Sequence, residues 1–355
     1  MLGIAALPSV AQQSVPVPSA LAHAEPASPD SGQFQPVQPH SAQPVRVAGA
    51  RALTDLPTLV ADAKGLFARH GLEVAVSLGD IDTHRLARLQ AGEVDFALLG
   101  LTPLVVDLVA HPDRGGPQDP VILAGLIHSS DIDRVVFHRA RPIGKPSDLS
   151  GRRVALPPDA NAEFLWWLFS TFHALAADID LQREHSSEAL LDLLAAGAID
   201  AAVMREPWIA RLRARLGADL GQFPTSHLYA AKWVLVSTRR TARERPALCA
   251  AMLASYRDAI ALINQNTPEA LALHAERAGL SVSALEPDWR RQALDYHLSI
   301  DWSLIAALKQ QAHWAALQAD LADPIIDILA LIDETALRSL VPGAVGIPPP
   351  LPRRP

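Results

Sequence analysis

The chain has few of the residues on which disulfide-rich, nucleic-acid-binding or membrane-spanning proteins depend. Its one cysteine, Cys249, can form no internal disulfide and lies in an apolar helical setting typical of a buried thiol. The formal net charge of −7 and the lack of basic runs before the last few residues argue against nucleic-acid binding. No apolar run reaches the roughly 18 residues of a membrane span. These absences leave a globular protein without nucleic-acid partners.

Motifs of several large enzyme classes are also missing. The chain lacks the glycine-rich dinucleotide and phosphate loops, the GxSxG nucleophile elbow and the HExxH zinc motif. Its 13 histidines are scattered without the spacing of metal ligands. The sequence therefore predicts no catalytic residues, no metal ion and no cofactor.

The material for a large folded region is ample. At 355 residues the chain exceeds the size at which a single core usually stops growing, so two lobes are expected. A hydrophobic content of 49% with 19% charged residues is typical of a globular protein with a sizeable core.

Two stretches of the chain have nearly the same pattern. They are LARLQAGEVDFALLG at 86–100 and LDLLAAGAIDAAVMR at 191–205. Each has a helix end, a glycine (Gly92 or Gly197) suited to the left-handed conformation that ends a helix, and a Val/Ile-Asp-x-Ala run typical of a buried strand. Matches of Ala and Leu occur by chance in this chain, so the Gly and Asp at fixed offset are the informative ones. They indicate a duplicated helix–strand unit, and two such units predict two lobes with a cleft between them.

Alternating strand and helix patterns define the predicted architecture. The fold class is α/β, with two mostly parallel-sheet lobes joined by two crossovers near 129–135 and 224–232, followed by a helical C-terminal part. The chain divides into a signal-peptide-like, Pro-rich leader at 1–44 that is disordered or cleaved, lobe 1 at 45–132 and 228–340, lobe 2 at 133–227, and an unpacked Pro-rich tail at 341–355.

The polar residues that follow predicted strands point to a binding site. Thr54, Thr102, Asp159 and Glu206 each lie where a strand ends and a helix begins. Carboxyl ends of parallel strands share one edge of a sheet, and the unpaired N–H groups of helix starts favour anions there. One capped helix start is ordinary, but four of them, two per lobe, predict a ligand cleft.

Several cations and polar side chains near the same edge are further candidates. Arg51 and Arg205 follow strands and could each form a bidentate bond to an oxyanion, or could instead be solvated or paired with a nearby Asp. His128 and Ser129 end a strand near one crossover, and Lys232 lies near the other. These three could donate hydrogen bonds to a ligand or serve only the strand ends.

The chain resembles the periplasmic solute-binding proteins of ABC importers, within them the nitrate/sulfonate/taurine group, which also includes thiamine-pyrimidine binders. The resemblance covers about 45–340 and is strongest in the G-x-[VI]-D-x-A runs and in the positions Gly65, Phe67, His70, Gly71, Leu72 and Val74. It implies the type II periplasmic-binding fold, in which two α/β lobes joined by two crossover strands close on a ligand at helix N-termini. The chain departs from the usual pattern in its long leader and in lacking an N-terminal lipidation cysteine.

The resemblance places the ligand loops on 51–54, 101–102, 159–161 and 205–206. With the residues near the crossovers, the predicted ligand-binding set is Arg51, Leu53, Thr54, Leu101, Thr102, His128, Ser129, Asp159, Ala160, Asn161, Arg205, Glu206 and Lys232. The implied protein is a monomeric, periplasmic, non-enzymatic component of an ABC importer. It captures a small oxyanionic solute, such as a sulfonate, taurine or a nitrate-like ion, and delivers it to a membrane permease.

Two other classes of function remain open at this stage. Enzymes of the same fold include thiamine-pyrimidine synthases, whose Cys-rich motif one cysteine cannot supply, and menaquinone-pathway enzymes. A ligand-sensing module is the third class, although no helix-turn-helix or membrane segment accompanies the domain. The cleft would also fit bicarbonate or an uncharged pyrimidine.

Overall fold

The computed structural model describes residues 43–79, 81–111, 115–183, 185–321 and 327–348. The leader and its signal-peptide-like start therefore lie almost wholly outside the described residues. The described strands are β1 (Val45–Gly49), β2 (Val74–Leu78), β3 (Phe96–Gly100), β4 (Pro120–Ser129), β5 (Asp133–His138), β6 (Arg153–Ala155), β7 (Asp180–Gln182), β8 (Ala201–Arg205), β9 (Leu220–Phe223), β10 (Ala231–Thr238) and β11 (Asp295–Ser299).

The described helices lie between and after these strands. They are α1 (Leu56–Ala63), α2 (Leu66–Arg69), α3 (Asp82–Gln90), α4 (Leu101–Ala110), α5 (Ala160–Phe172), α6 (Ser187–Ala195), α7 (Trp208–Leu216), α8 (Arg239–Glu244), α9 (Pro246–Gln265), α10 (Thr267–Ala278), α11 (Val282–Gln292), α12 (Trp302–Gln318) and α13 (Thr335–Leu340). Gly65, with φ of 62°, separates α1 from α2, where the sequence predicts one continuous helix.

Two sheets organise the described part of the chain, as the fold class predicts. The first has the strand order β11-β4-β10-β3-β1-β2, and the second has the order β7-β6-β8-β5-β9. In each sheet three strands are parallel to one another (β2, β1, β3 and β7, β6, β8), and the strands next to the crossovers pair antiparallel. The chain changes sheet after β4 and again before β10, near the predicted crossovers. The lobe boundaries themselves stay a prediction.

The duplicated unit has the same contacts in both sheets. Gly92 and Gly197 take positive φ of 72° and 68° at the exits of α3 and α6, as the pattern predicts. The Asp95 carboxylate after Gly92 accepts hydrogen bonds from the backbone N and Nε of Arg46, whose Nη2 donates to the Gly92 carbonyl. The equivalent bonds in the second sheet join Asp200 and the Gly197 carbonyl to Arg153. An arginine in the neighbouring strand therefore belongs to the repeat, which the sequence comparison missed.

The second sheet is buried on both faces, because alternate strand residues pack against different helices. Val135, Phe137, Val154, Ala201 and Val203 pack with α5 on one face. Val136, Ala155, Ala202 and Met204 pack with α6 and α7 on the other. This alternation follows from the two-residue period of a strand.

A larger apolar core surrounds the first sheet and includes α9. By length and composition α9 is the one helix in the described ranges that could cross a membrane, and 61% of its apolar window is buried inside the protein. It packs against α1, α2 and α13, as expected of a core helix.

Two predictions about the C-terminal part are wrong. The chain after β10 is not wholly helical, because β11 pairs antiparallel with β4 at the edge of the first sheet. The tail is not unpacked from residue 341 onward: Val345 and Ile347 are buried in the main core, and Arg338 Nη2 donates to the Ile347 carbonyl at 2.9 Å. Their apolar side chains decide this, despite the surrounding prolines.

Candidate functional site

A cleft of about 760 Å³ lies where elements of both sheets meet. The segment Arg51–Thr54 after β1 lines it from the first sheet, and Arg205–Trp208 lines it from the second. Ile132 and Asp133 of the first crossover also contribute, as do residues of α10 and α11, including His274 and Gln292. The volume is within the usual range of small-molecule pockets.

The structure brings six of the predicted ligand residues together in this cleft. Arg51, Leu53, Thr54, Asp159, Arg205 and Glu206 line it. The remaining seven predicted residues are not among its lining: Leu101, Thr102, His128, Ser129, Ala160, Asn161 and Lys232.

Burial and local hydrogen bonding explain why several predicted residues do not line the cleft. Leu101 and Thr102 are fully buried in the first turn of α4. The Asn161 amide donates to Asp159 Oδ1 at 2.9 Å, so it turns back toward the start of its own helix. Ser129 Oγ donates to the Gln292 carbonyl. His128 and Lys232 line a separate small cavity beside β11.

The predicted capping is present at α5 and in a related form at α7. Asp159 caps α5 by accepting from the Asn161 backbone N at 2.8 Å, and Glu206 Oε2 accepts from the Ala210 N at 2.9 Å in α7. At α4 the N-cap is Gly100, so Thr102 is already inside the helix. Asp55, before α1, instead accepts from the Ala50 N and the Thr58 hydroxyl.

Arg205 already has a carboxylate partner at the floor of the cleft. Its Nε and Nη2 donate to Asp133 Oδ1 and Oδ2 at 2.7 and 2.8 Å, and the Tyr229 hydroxyl donates to Oδ2 at 3.1 Å. Burial alone would lower the pKa of Arg205, but the Asp133 carboxylate raises it above its usual value. The guanidinium also lies 5.6 Å from the centroid of the Trp233 ring in β10. This group joins both crossovers and the two sheets, and Asp133 occupies the fork that an oxyanion would use.

Glu206 connects α7 with α11 across the cleft. Its side chain is fully buried, and its Oε1 lies 3.7 Å from both Arg213 Nη1 and Arg291 Nε. Burial raises the pKa of Glu206, partly offset by the bond from Ala210 and by the two arginines. These distances exceed hydrogen-bond length, so the two arginines stabilise the carboxylate by charge.

Asp55 is a buried carboxyl at the end of β1. Burial raises its pKa from the usual 3.8 to about 7, against the opposing charge of Arg85. Between these two pH values the folded protein holds a proton that the unfolded chain has released. The free energy of unfolding contributed by Asp55 is therefore fully present below about pH 4 and is lost as the pH rises to about 7.

Two lining arginines contact no carboxylate among the described residues. Arg51 is exposed, and its Nε makes one long bond, 3.4 Å, to the Leu78 carbonyl. Arg211 of α7 is exposed and lies over the Trp208 ring at 4.5 Å from its centroid. Sequence reasoning missed Arg211. The W-x-x-R spacing, which places both side chains on one face of a helix, could have indicated it.

One cluster of possible metal ligands is present in the described part of the chain. It consists of His128 in β4 with Asp295 and His297 in β11, and it lies outside the cleft lining. Sequence spacing could not reveal it, because the ligands come from two strands far apart in the chain.

Comparison with known proteins agrees with this architecture. A family model described as NMT1/THI5 like matches residues 54–270. The periplasmic aliphatic sulphonate binding protein SsuA from Escherichia coli superposes with a TM-score of 0.69 at 18% identity, over 82% of this chain and 98% of that one. No curated protein sequence matches the chain.

Two further solved structures have the same fold and different functions. The alkanesulfonate-binding protein SsuA from Xanthomonas axonopodis pv. citri, bound to MOPS, has a TM-score of 0.64 at 16% identity, over 82% of this chain and 99% of that one. The desulfurization enzyme DszB in complex with biphenyl-2-sulfinic acid has a TM-score of 0.60 at 16% identity, over 84% and 99%. At these identities the similarity shows the fold alone, which is that of periplasmic binding proteins. Because the matching family model covers well over half of its 355 residues, the chain belongs to the NMT1/THI5-like family.

Proposed function

We propose that the protein is the extracytoplasmic solute-binding component of an ABC importer. It captures a small oxyanionic solute, a sulfonate in the first instance, between its two sheets and passes it to a membrane permease. The single observation that carries this proposal is the cleft, which strand ends of both sheets line together with two arginines that lack carboxylate partners.

The charges of the cleft favour an anion. The Arg205 charge is balanced by Asp133, and Glu206 is balanced by the neighbouring arginines. Asp159 accepts bonds from the start of α5. The guanidinium groups of Arg51 and Arg211 are then the available donors, one on each side of the cleft. A guanidinium offers two parallel N–H groups that match the spacing of sulfonate oxygens.

The two sides of the cleft are joined at the crossovers, which supports closure around the ligand. Binding proteins of this architecture close by hinge motion at such segments. In this chain Asp133 and Tyr229 lie at the two crossovers and are bonded to each other and to Arg205. This group would act as the pivot, while Arg51 and Arg211 approach the solute from opposite sides.

An enzyme of the same fold is the weaker candidate. The DszB structures show that the fold can serve catalysis. A cysteine nucleophile has no basis in this chain, because Cys249 is buried in α9 and burial raises its pKa to about 12. A thiol in that state holds its proton at neutral pH.

The proposal is tested by screening solutes for stabilisation of the purified protein. Thermal unfolding is followed with alkanesulfonates, taurine, nitrate, bicarbonate and a pyrimidine. A ligand at about 100 times its dissociation constant raises the free energy of unfolding by roughly 2.7 kcal/mol. Stabilisation by a sulfonate is the expected result. Turnover of a solute, or stabilisation by the pyrimidine alone, would overturn the proposal.

Calorimetric titration of variants then locates the anion. Removing a charge-assisted bond costs roughly 1.5–3 kcal/mol, so Arg51→Ala and Arg211→Ala should each weaken sulfonate binding about 10- to 150-fold. Arg51→Lys should recover part of the loss, because one ammonium cannot reproduce the guanidinium fork. Arg69, exposed on α2 and not part of the cleft lining, provides the matched control. Normal binding in both cleft variants would exclude the arginine clamp.

A further inference from the structure

Three side chains with metal-ligand chemistry meet on one face of the first sheet. Asp295 and His297 are two residues apart in β11, so they point to the same side of the strand. His128 of β4 is paired directly with Asp295 in the antiparallel register. One potential ligand atom from each residue lies within 4.8 Å of the other two.

The separations of these atoms match a shared metal ion better than direct hydrogen bonds. His128 Nε2 lies 3.5 Å from Asp295 Oδ2, and His297 Nδ1 lies 3.4 Å from the same oxygen. Hydrogen bonds between nitrogen and oxygen are about 2.7–3.2 Å long. Two ligand atoms that are each about 2.0–2.1 Å from a tetrahedral zinc ion lie roughly 3.3–3.4 Å apart. The two imidazole rings are 5.0 Å apart and nearly perpendicular, at 81°, so both can point at one centre.

Space and access for a fourth ligand are present. A small cavity of about 10 Å³, which His128 and His297 line with Ser299, adjoins the cluster. That volume is about the size needed for one water molecule. The side chains of His128, His297 and Asp295 are 34%, 41% and 59% exposed, so an ion can enter from solvent.

The local charge is compatible with a cation. Lys232, opposite His128 in β10, is the nearest positive group, and its Nζ donates to Ser303 Oγ at 3.1 Å. Asp301 acts on both Lys232 and His128. Two carboxylates, Asp295 and Asp301, therefore outweigh one ammonium around the cluster.

We propose that His128, Asp295 and His297 bind one divalent transition-metal ion of the zinc type, with water as the fourth ligand. Two imidazoles and one carboxylate with an open position are a common ligand set for such ions. The ion would fasten the edge strand β11 to β4, immediately before β4 leads into the first crossover. This site is separate from the solute cleft and does not depend on the proposed transport function.

The test uses the full chain, freed of any affinity tag and dialysed against EDTA. Zn²⁺ is titrated in competition with a chromogenic chelator, and the stoichiometry is measured by elemental analysis. One Zn²⁺ per chain is expected, and Co²⁺ should give the intense visible absorption of a tetrahedral complex. His297→Ala and Asp295→Asn should weaken binding on the order of 100-fold or more, since even second-shell losses cost about 10- to 100-fold.

A matched control and a fold check keep the result unambiguous. His313→Ala removes an exposed histidine of α12 outside the cluster and should leave Zn²⁺ affinity unchanged. Both β11 variants alter partly exposed side chains, so the metal-free proteins should melt at the temperature of the unsubstituted chain. No Zn²⁺ binding tighter than about 10 μM, or equal affinity in all of these variants, would overturn the proposal.

Discussion

Removal of Arg205 tests whether the group at the crossovers stabilises the fold. The guanidinium donates to both oxygens of Asp133, whose side chain is only 6% exposed. Arg205→Ala leaves that carboxylate buried with the Tyr229 hydroxyl as its remaining side-chain donor, at 3.1 Å. Breaking a buried ion pair by removing one partner costs about 3–5 kcal/mol. Because 26% of the Arg205 side chain is exposed and water can enter, we expect the lower end, about 3 kcal/mol.

Urea denaturation of the ligand-free protein measures this loss, with melting temperature as a second readout. Arg215→Ala is the matched control, since its pair with Asp192 is exposed on both sides and contributes at most about 1 kcal/mol. Adding Asp133→Asn to Arg205→Ala removes the stranded charge and should recover part of the lost stability. A loss below about 1 kcal/mol in Arg205→Ala would refute the reasoning, because Asp133 would then not need its partner.

Three further predictions follow from other parts of the structure. Asp55→Asn mimics the protonated carboxyl and should remove a loss of about 1.4 kcal/mol per pH unit between about pH 4 and 7; parallel pH–stability profiles of variant and parent would contradict it. Gly221→Ala places a Cβ 2.2 Å from Phe137 Cε2 and should cost about 1–3 kcal/mol in urea unfolding, whereas Gly343→Ala meets nothing within 4 Å and should be neutral; equal stabilities would show that the ring yields. Small-angle scattering should show a smaller radius of gyration once a stabilising solute is bound, and an unchanged profile would indicate a rigid site.

Local patterns were sufficient for the elements whose burial follows one period. The buried strands β1, β3, β4 and β10 were all expected within two residues of their ends, because continuous apolar runs bounded by turn residues have few alternatives. The duplicated unit was visible for the same reason, since Gly92 and Gly197 must take a positive φ at their helix exits.

Polar edge elements were not accessible in this way. The segment DYHLS of β11 is short and half polar, and it follows a helix, so nothing local distinguishes it from a loop. It becomes a strand because β4, far earlier in the chain, offers a free edge. The roles of Asp95 and Asp200 likewise depend on an arginine in the next strand.

The sequence by itself determined the fold class, the two sheets and the edge at which strand ends and helix starts meet, because these depend on periodicity and on chain direction within parallel strands. Only the tertiary structure decided which polar residues near that edge have unused bonding capacity. Arg51 and Arg205 follow their strands in the same way, yet Asp133 binds Arg205 and no described carboxylate binds Arg51. That difference arises from side chains brought together across the two crossovers, and no local spacing encodes it.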